Sequence, residues 1–187
     1  DVKKFLTQKE LGILLHYLDK ESDYEFKTII YLIIYTGLRK SEALGLTWKD
    51  IQFDENYIYV RQSKVTTSSG ELVSNTKNLS SKRIVQVPSK IMDMLKKLNR
   101  KSEFVFNFKS RTLGKKFQRF INTYKCIPEI TLHKLRHTHA TLLISKNIDI
   151  KSISARLGHS ETSTTLNIYS HVLQENDKKI ANILNDL

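Results

Sequence analysis

Residues 132–143 read LHKLRHTHATLL, the densest run of polar side chains set among apolar ones in this 187-residue chain. Helical spacing turns Leu132, Leu135, Leu142 and Leu143 inward, in a helix expected over residues 131–146. His133 and Arg136 then stand at i and i+3 on one face, and His137 joins them at i+4 from His133. Two histidines one turn apart have the spacing of a metal-binding helix. However, Lys134 occupies the position where such a helix carries its glutamate base, and Arg136 sets a fixed positive charge beside any cation. A guanidinium next to an imidazole suits a phosphate better. The plain alternative is a structural helix with satisfied histidines.

Three further segments carry polar groups in telling places. Residues 156–171 read RLGHSETSTTLNIYSH, where Gly158 turns the chain sharply, His159 follows, and Tyr169 comes ten residues later. A helix-turn-helix is the bland account of this stretch. Residues 36–46, TGLRKSEALGL, place Arg39 directly after a long apolar run. A charge so placed must reach solvent or meet a partner, and Glu42 three residues on is a fair one. Residues 76–88, TKNLSSKRIVQVP, carry Lys77.

Around these segments apolar spacing marks helices over 10–18, 26–36 and 41–46. The second is apolar nearly all round and therefore buried. Alternation marks strands over 57–61 and 83–87, with a polar stretch between them and Gly70-Glu71 as a turn candidate. Those turns hold few apolar residues and are expected to be mobile without a ligand. Helical spacing returns in Ile91, Met94, Leu95 and Leu98, then in Leu113, Phe117, Phe120, Ile121 and Tyr124. Helices over 150–157, 162–172 and 176–187 complete the set. The fold class is α+β, mainly helical with a small antiparallel sheet of two or three strands.

Charge sharpens the picture. The chain carries 31 Lys and Arg against 19 Asp and Glu, a formal net of +12. Residues 61–119 hold fifteen basic and three acidic side chains, so the whole excess lies there. One basic zone in an otherwise balanced chain suggests a surface facing a polyanion, although a solvated lysine-rich face would look the same. No apolar run approaches a membrane span, and no signal-peptide pattern opens the chain. Cys126 is the single cysteine, so no internal disulfide can form. A reducing cytosol fits this usage.

Taken together, the four segments resemble the tyrosine recombinases, or phage integrases, in order, spacing and flanking residues. The resemblance runs from about Leu6 to His171. The family's first catalytic arginine lies in a TGLR-x-SE stretch, here Arg39. Its hairpin lysine best matches Lys77, with Lys64 and Lys82 nearby. Its His-x-x-Arg box matches His133 and Arg136, its LGH histidine matches His159, and its nucleophile matches Tyr169. The resemblance implies a catalytic domain of the DNA breaking-rejoining fold over residues 1–187. It implies a C-terminal fragment, since the core-binding and arm-binding domains that usually precede this one do not appear, and it makes 176–187 a docking helix.

The implied activity is site-specific cleavage and rejoining of DNA through a 3′-phosphotyrosine, for integration or excision of a phage or mobile element. No cofactor and no metal are implied. The implied partners are double-stranded DNA at recombination sites, a homo-tetramer on DNA from a monomer when isolated, and accessory DNA-bending or excision factors. The implied location is the bacterial cytoplasm, at the nucleoid, with no membrane. A type IB topoisomerase using similar chemistry and a non-catalytic helix-turn-helix regulator using residues 156–169 are the alternatives.

Overall fold

A computed structural model describes residues 4–67, 70–75 and 82–158 of the chain. The helices expected over 162–172 and 176–187 lie outside the described residues. The first helix, α1 (Gln8–Asp19), starts earlier than apolar spacing suggests, because Thr7 and Glu10 form a reciprocal capping box. Next, α2 (Tyr24–Thr36) is capped by Asp23 at its start and by left-handed Gly37 at its end. It is buried from Phe26 to Ile34 with few breaks, as a central helix must be. A short helix, α3 (Lys40–Gly45), follows at once.

The strands depart from expectation in number. β1 (Ile51–Gln52), β2 (Tyr57–Val60) and β5 (Arg83–Gln86) form one antiparallel sheet in the order β1-β2-β5. Ile58 pairs with Val85 and Tyr59 with Ile84 in its central ladder. Between β2 and β5, the described part of the polar stretch read as turns forms a separate pair of strands. Its strands, β3 (Gln62–Thr67) and β4 (Gly70–Asn75), pair over six positions. The pattern hides this pair because Leu72 and Val73 are adjacent yet both exposed, so no single apolar face alternates. Gly45 lets β3 lie against α3: a Cβ there would stand 3.0 Å from the backbone of Gln62 and Ser63. Gln62 also donates through its side chain to the Gly45 carbonyl at 2.7 Å.

Four more helices close the domain: α4 (Ser89–Lys96), α5 (Ser110–Thr123), α6 (Leu132–Ser145) and α7 (Ile150–Leu157). Both α4 and α6 pack on α2. The main core runs from Leu6 to Leu135, and a satellite cluster of Ala140, Ile144, Ile153 and Leu157 joins α6 to α7. The interior of α6 corrects the leucine stripe read from sequence. Leu142 and Leu143 are only half-buried, while Arg136, Thr138, His139 and Thr141 are buried. Local bonds allow this: Thr138 and Thr141 donate to carbonyls one turn back, and Thr138 accepts from the Leu6 amide. No helix among the described residues is long and apolar enough to cross a membrane.

Candidate functional site

A buried carboxylate organises the cations that the sequence singles out. Glu42, on α3, is 2% exposed. Arg39, at the N-terminal cap of α3, donates from its backbone N–H to Glu42 Oε2 at 2.8 Å and from Nη1 to Oε1 at 2.7 Å. From β5, Arg83 makes a forked contact, Nη1 to Oε1 at 3.1 Å and Nη2 to Oε2 at 3.0 Å. On α6, Arg136 brings Nη1 to 3.8 Å from Oε2. Burial opposes ionisation of Glu42, but the hydrogen bonds and charge of Arg83, with the charge of Arg39, outweigh it. They hold the carboxyl below the usual carboxylate range.

The arginines differ in access. Arg39 has a side chain 37% exposed, whereas Arg83 and Arg136 are at 7% and 3%. Arg136 is fixed further by donating to the carbonyls of Gly37 at 2.8 Å and Leu157 at 2.7 Å. A cavity of about 610 Å³ opens in front of Arg39, lined also by Lys40, Val65, Thr131 and His133. Along α5, Ser110, Gly114 and Gln118 form another wall, with exposed Arg111 and Lys115 beside them in sequence. His133 stands edge-on to His137 with ring centroids 4.7 Å apart. Desolvation, then the charges of Arg136, Lys134 and Arg39, lower the pKa of His133 below the ordinary histidine value. The imidazole is therefore neutral near pH 7 and available to take a proton.

Arg39, His133 and Arg136 thus come together, two lining the cavity and the third behind them on Glu42. Lys77, His159 and Tyr169 lie outside the described residues. Of the two nearby lysines, Lys64 turns away. Val65 lines the cavity, and strand alternation sends Lys64 to the other face, 3.0 Å from Glu71 and 4.6 Å from the Phe104 ring centroid. Lys82 is exposed just before β5. Among the described residues no group of three His, Cys, Asp or Glu side chains could hold a metal ion. Part of the basic zone is structural: Arg61, Lys64, Arg83 and Lys116 pair with Asp50, Glu71, Glu42 and Asp23.

Sequence reasoning treats Glu42 as a partner for Arg39 alone and misses Arg83. A signal exists for the latter. In Arg83-Ile84-Val85-Gln86-Val87 the inward set is Arg83, Val85 and Val87, so alternation carries the arginine to the inner face. The helix-turn-helix alternative loses its leading base contact, because Arg156 points inward. It donates to the carbonyls of Tyr35 at 3.1 Å and Gln86 at 3.0 Å and to His139 at 3.2 Å.

The chain is similar to known proteins over most of its length. The phage integrase family matches residues 4–176. A XerC-like tyrosine recombinase of Caldanaerobacter subterraneus subsp. tengcongensis is 31% identical, covering 88% of this chain and 50% of the relative. The ICEBs1 integrase of Bacillus subtilis is 32% identical, covering 87% and 49%. The chain spans about half the length of these curated relatives. In fold, it superposes on the Tn1549 transposon integrase in complex with circular intermediate DNA. The TM-score there is 0.82 at 24% identity, over 90% of this chain and 63% of that one. It also superposes on the catalytic domain of bacteriophage HP1 integrase, with a TM-score of 0.64 at 24% identity over 91% and 88%. With the family pattern spanning nearly all of its length, the chain belongs to the phage integrase family.

Proposed function

We propose that this chain is the catalytic part of a site-specific DNA recombinase or integrase that cuts and rejoins strands through a 3′-phosphotyrosine at Tyr169. The observation that carries the proposal is the convergence of Arg39, Arg83 and Arg136 on buried Glu42, beside a cavity that Arg39 and His133 line. A phosphodiester under attack gains charge on its non-bridging oxygens, and donors already fixed in place stabilise that charge without reorganising. Glu42 supplies the fixing. Relatives named as tyrosine recombinases and integrases support the reading.

In this scheme Arg39 and Arg136 donate to the non-bridging oxygens, and His159 adds a third donor. Tyr169 attacks phosphorus, so that a tyrosine–phosphorus bond forms and the bond to the 5′ oxygen breaks. The positive field around Arg39 and Arg136 favours the phenolate, whose ordinary pKa is about 10. Neutral His133 takes the tyrosine proton, and Lys77 gives one to the leaving 5′ oxygen, which an arginine could hardly do. The phosphotyrosine keeps the bond's energy, and a 5′ hydroxyl from another strand reverses the step without a nucleotide cofactor.

The partner is double-stranded DNA at the recombination site of a phage or mobile element, in the bacterial cytoplasm at the nucleoid. Four copies assemble there with accessory bending or excision factors, and residues 176–187 dock between or within protomers. The test starts from duplexes selected for binding out of a random library. Each is nicked near its centre, incubated with the chain and run on a denaturing gel. A covalent protein–DNA band is expected from the native chain, and none from Tyr169→Phe, which still binds. A band from Tyr169→Phe assigns the nucleophile to another tyrosine and overturns the proposal.

A further inference from the structure

The last turn of α7 is held from several sides. Arg83 Nε donates to the Arg156 carbonyl at 2.6 Å, and Arg136 Nη2 to the Leu157 carbonyl at 2.7 Å. A helix leaves these carbonyls without partners at its C-terminus, where its dipole favours cations. The Arg156 side chain runs the other way, to the Tyr35 carbonyl near the end of α2, the Gln86 carbonyl at the end of β5, and His139 Nε2. His139, on α6, is 7% exposed, and its Nδ1 lies 2.9 Å from the Ile34 carbonyl. A carbonyl oxygen only accepts, so Nδ1 carries the proton and Nε2 offers its lone pair to Arg156. One neutral tautomer satisfies both bonds. Gly37, at φ 70°, closes on this ring: a Cβ there would stand 2.7 Å from His139 Cδ2.

We propose that His139 and Arg156 are a positioning pair that sets the end of α7 against α2, and through it aims Arg136. The inference rests on the reading of the site as a recombinase centre. Arg136 spans from the Gly37 carbonyl at the end of α2 to the Leu157 carbonyl at the end of α7. The His139–Arg156 bridge spans the same two helix ends, through Ile34 and Tyr35 on one side and Arg156 on the other. It therefore fixes the gap between the two acceptors of Arg136. If α7 slides by about 1 Å, Arg136 gives up one of them, and misplacement on that scale costs on the order of 100-fold in rate. Burial, with the charges of Arg156 and Arg136, pushes the His139 pKa down to about 4, so the required tautomer persists at neutral pH.

The two ring nitrogens can be tested one at a time. Asparagine places an amide N–H near Nδ1, and glutamine places a carbonyl oxygen near Nε2. His139→Asn thus keeps the bond to Ile34 and loses the acceptor for Arg156, while His139→Gln does the reverse. Arg156→Lys keeps the charge and loses the fork. Three quantities are measured on the whole chain: DNA affinity, the rate of covalent adduct formation at saturating DNA, and amide hydrogen exchange of α7 without DNA. For His139→Asn and Arg156→Lys, affinity should stay within about 3-fold while the saturated rate falls at least ~10-fold. In the same variants α7 exchange should rise about 10-fold, with α1 and β2 unchanged. His139→Gln should keep more than about a third of the native rate. Equal losses in His139→Asn and His139→Gln, or a native rate in His139→Asn, overturn the pair. Should even the native chain form no adduct, the recombinase reading fails on its own account. The pair is then decided by exchange alone, and unchanged α7 exchange in His139→Asn overturns it.

Discussion

Glu42→Gln changes almost no volume and removes one negative charge from the middle of three guanidinium groups. Arg83 and Arg136, at 7% and 3% exposure, cannot swing into water to recover solvation, whereas Arg39, at 37%, can do so in part. The new carboxamide still offers one acceptor, but its amino group points hydrogens at guanidinium hydrogens. Breaking a buried ion pair from one side costs about 3–5 kcal/mol, and the freedom of Arg39 argues for the lower end. For a chain of this size, about 3 kcal/mol corresponds to a Tm lower by roughly 6–12 °C. Thermal unfolding followed by circular dichroism measures it. The pH dependence gives a second handle. The folded-state pKa of Glu42 is lowered, so its contribution is complete above the ordinary glutamate value of about 4.3 and is lost as pH falls through the folded value. The Tm gap between native chain and variant should therefore be widest near neutrality and narrow in acid. A gap below about 2 °C at neutral pH, or one that stays constant into acid, would refute the view that Glu42 holds the arginines together.

Three further outcomes are expected. Lys77→Ala should slow cleavage of a normal phosphodiester far more than of one with a 5′-bridging sulfur, which leaves without an acid; equal slowing would remove Lys77 from that role. With a folded pKa near 4 against about 6.5 unfolded, His139 makes the native chain lose stability as pH falls from 6.5 toward 4, by about 3 kcal/mol in all. Denaturant melts across that range should show the slope in the native chain and lack it in His139→Gln, and an identical slope in both would discount the buried imidazole. Deleting residues 176–187 should impair assembly on DNA in gel-shift or light-scattering measurements and alter cleavage, whereas unchanged assembly and cleavage would make that segment dispensable.

Much of this arrangement can be read in the sequence, for reasons that differ by residue. Apolar spacing marks α2 and α7 because their buried residues recur every turn, and it marks the extent of α6 although two of the four leucines it turns inward are half-buried. Arg39, His133 and Arg136 stand out because charge beside long apolar runs demands a purpose. The hairpin of β3 and β4 escapes because exposed Leu72 and Val73 break alternation, and the backbone pairing that makes it regular leaves no trace in composition. Glu42 is legible as the partner of Arg39, at 2.7 Å, but its bond to Arg83 and the pairing of His139 with Arg156 escape for another reason. Arg83 meets Glu42 across 41 residues and Arg156 meets His139 across 17, distances that no local period encodes. Even Arg136, legible as a candidate, takes its orientation from Gly37, 99 residues away.

The end of α2 divides the molecule into parts with different tolerances. Toward its middle, Ile29, Ile30, Leu32 and Ile33 are held by shape alone, and apolar cores accept swaps that conserve volume. In its last turn the carbonyls of Ile34, Tyr35 and Gly37 each receive a side chain from α6 or α7. Hydrogen bonds are directional, and a buried network fails when any member is left unsatisfied. A mutational library over this domain should therefore show a soft interior and a stiff corner. Variants should drift freely through the first while retaining the fold, whereas the second should accept almost nothing at Gly37, Arg136 or Arg156 and little beyond glutamine at His139. Variation belongs instead on the walls of the cavity, where Lys40, Ser110 and Gln118 are half-buried and the link between α3 and α5 is a long bond of 3.4 Å from Lys40 to the Ser110 carbonyl.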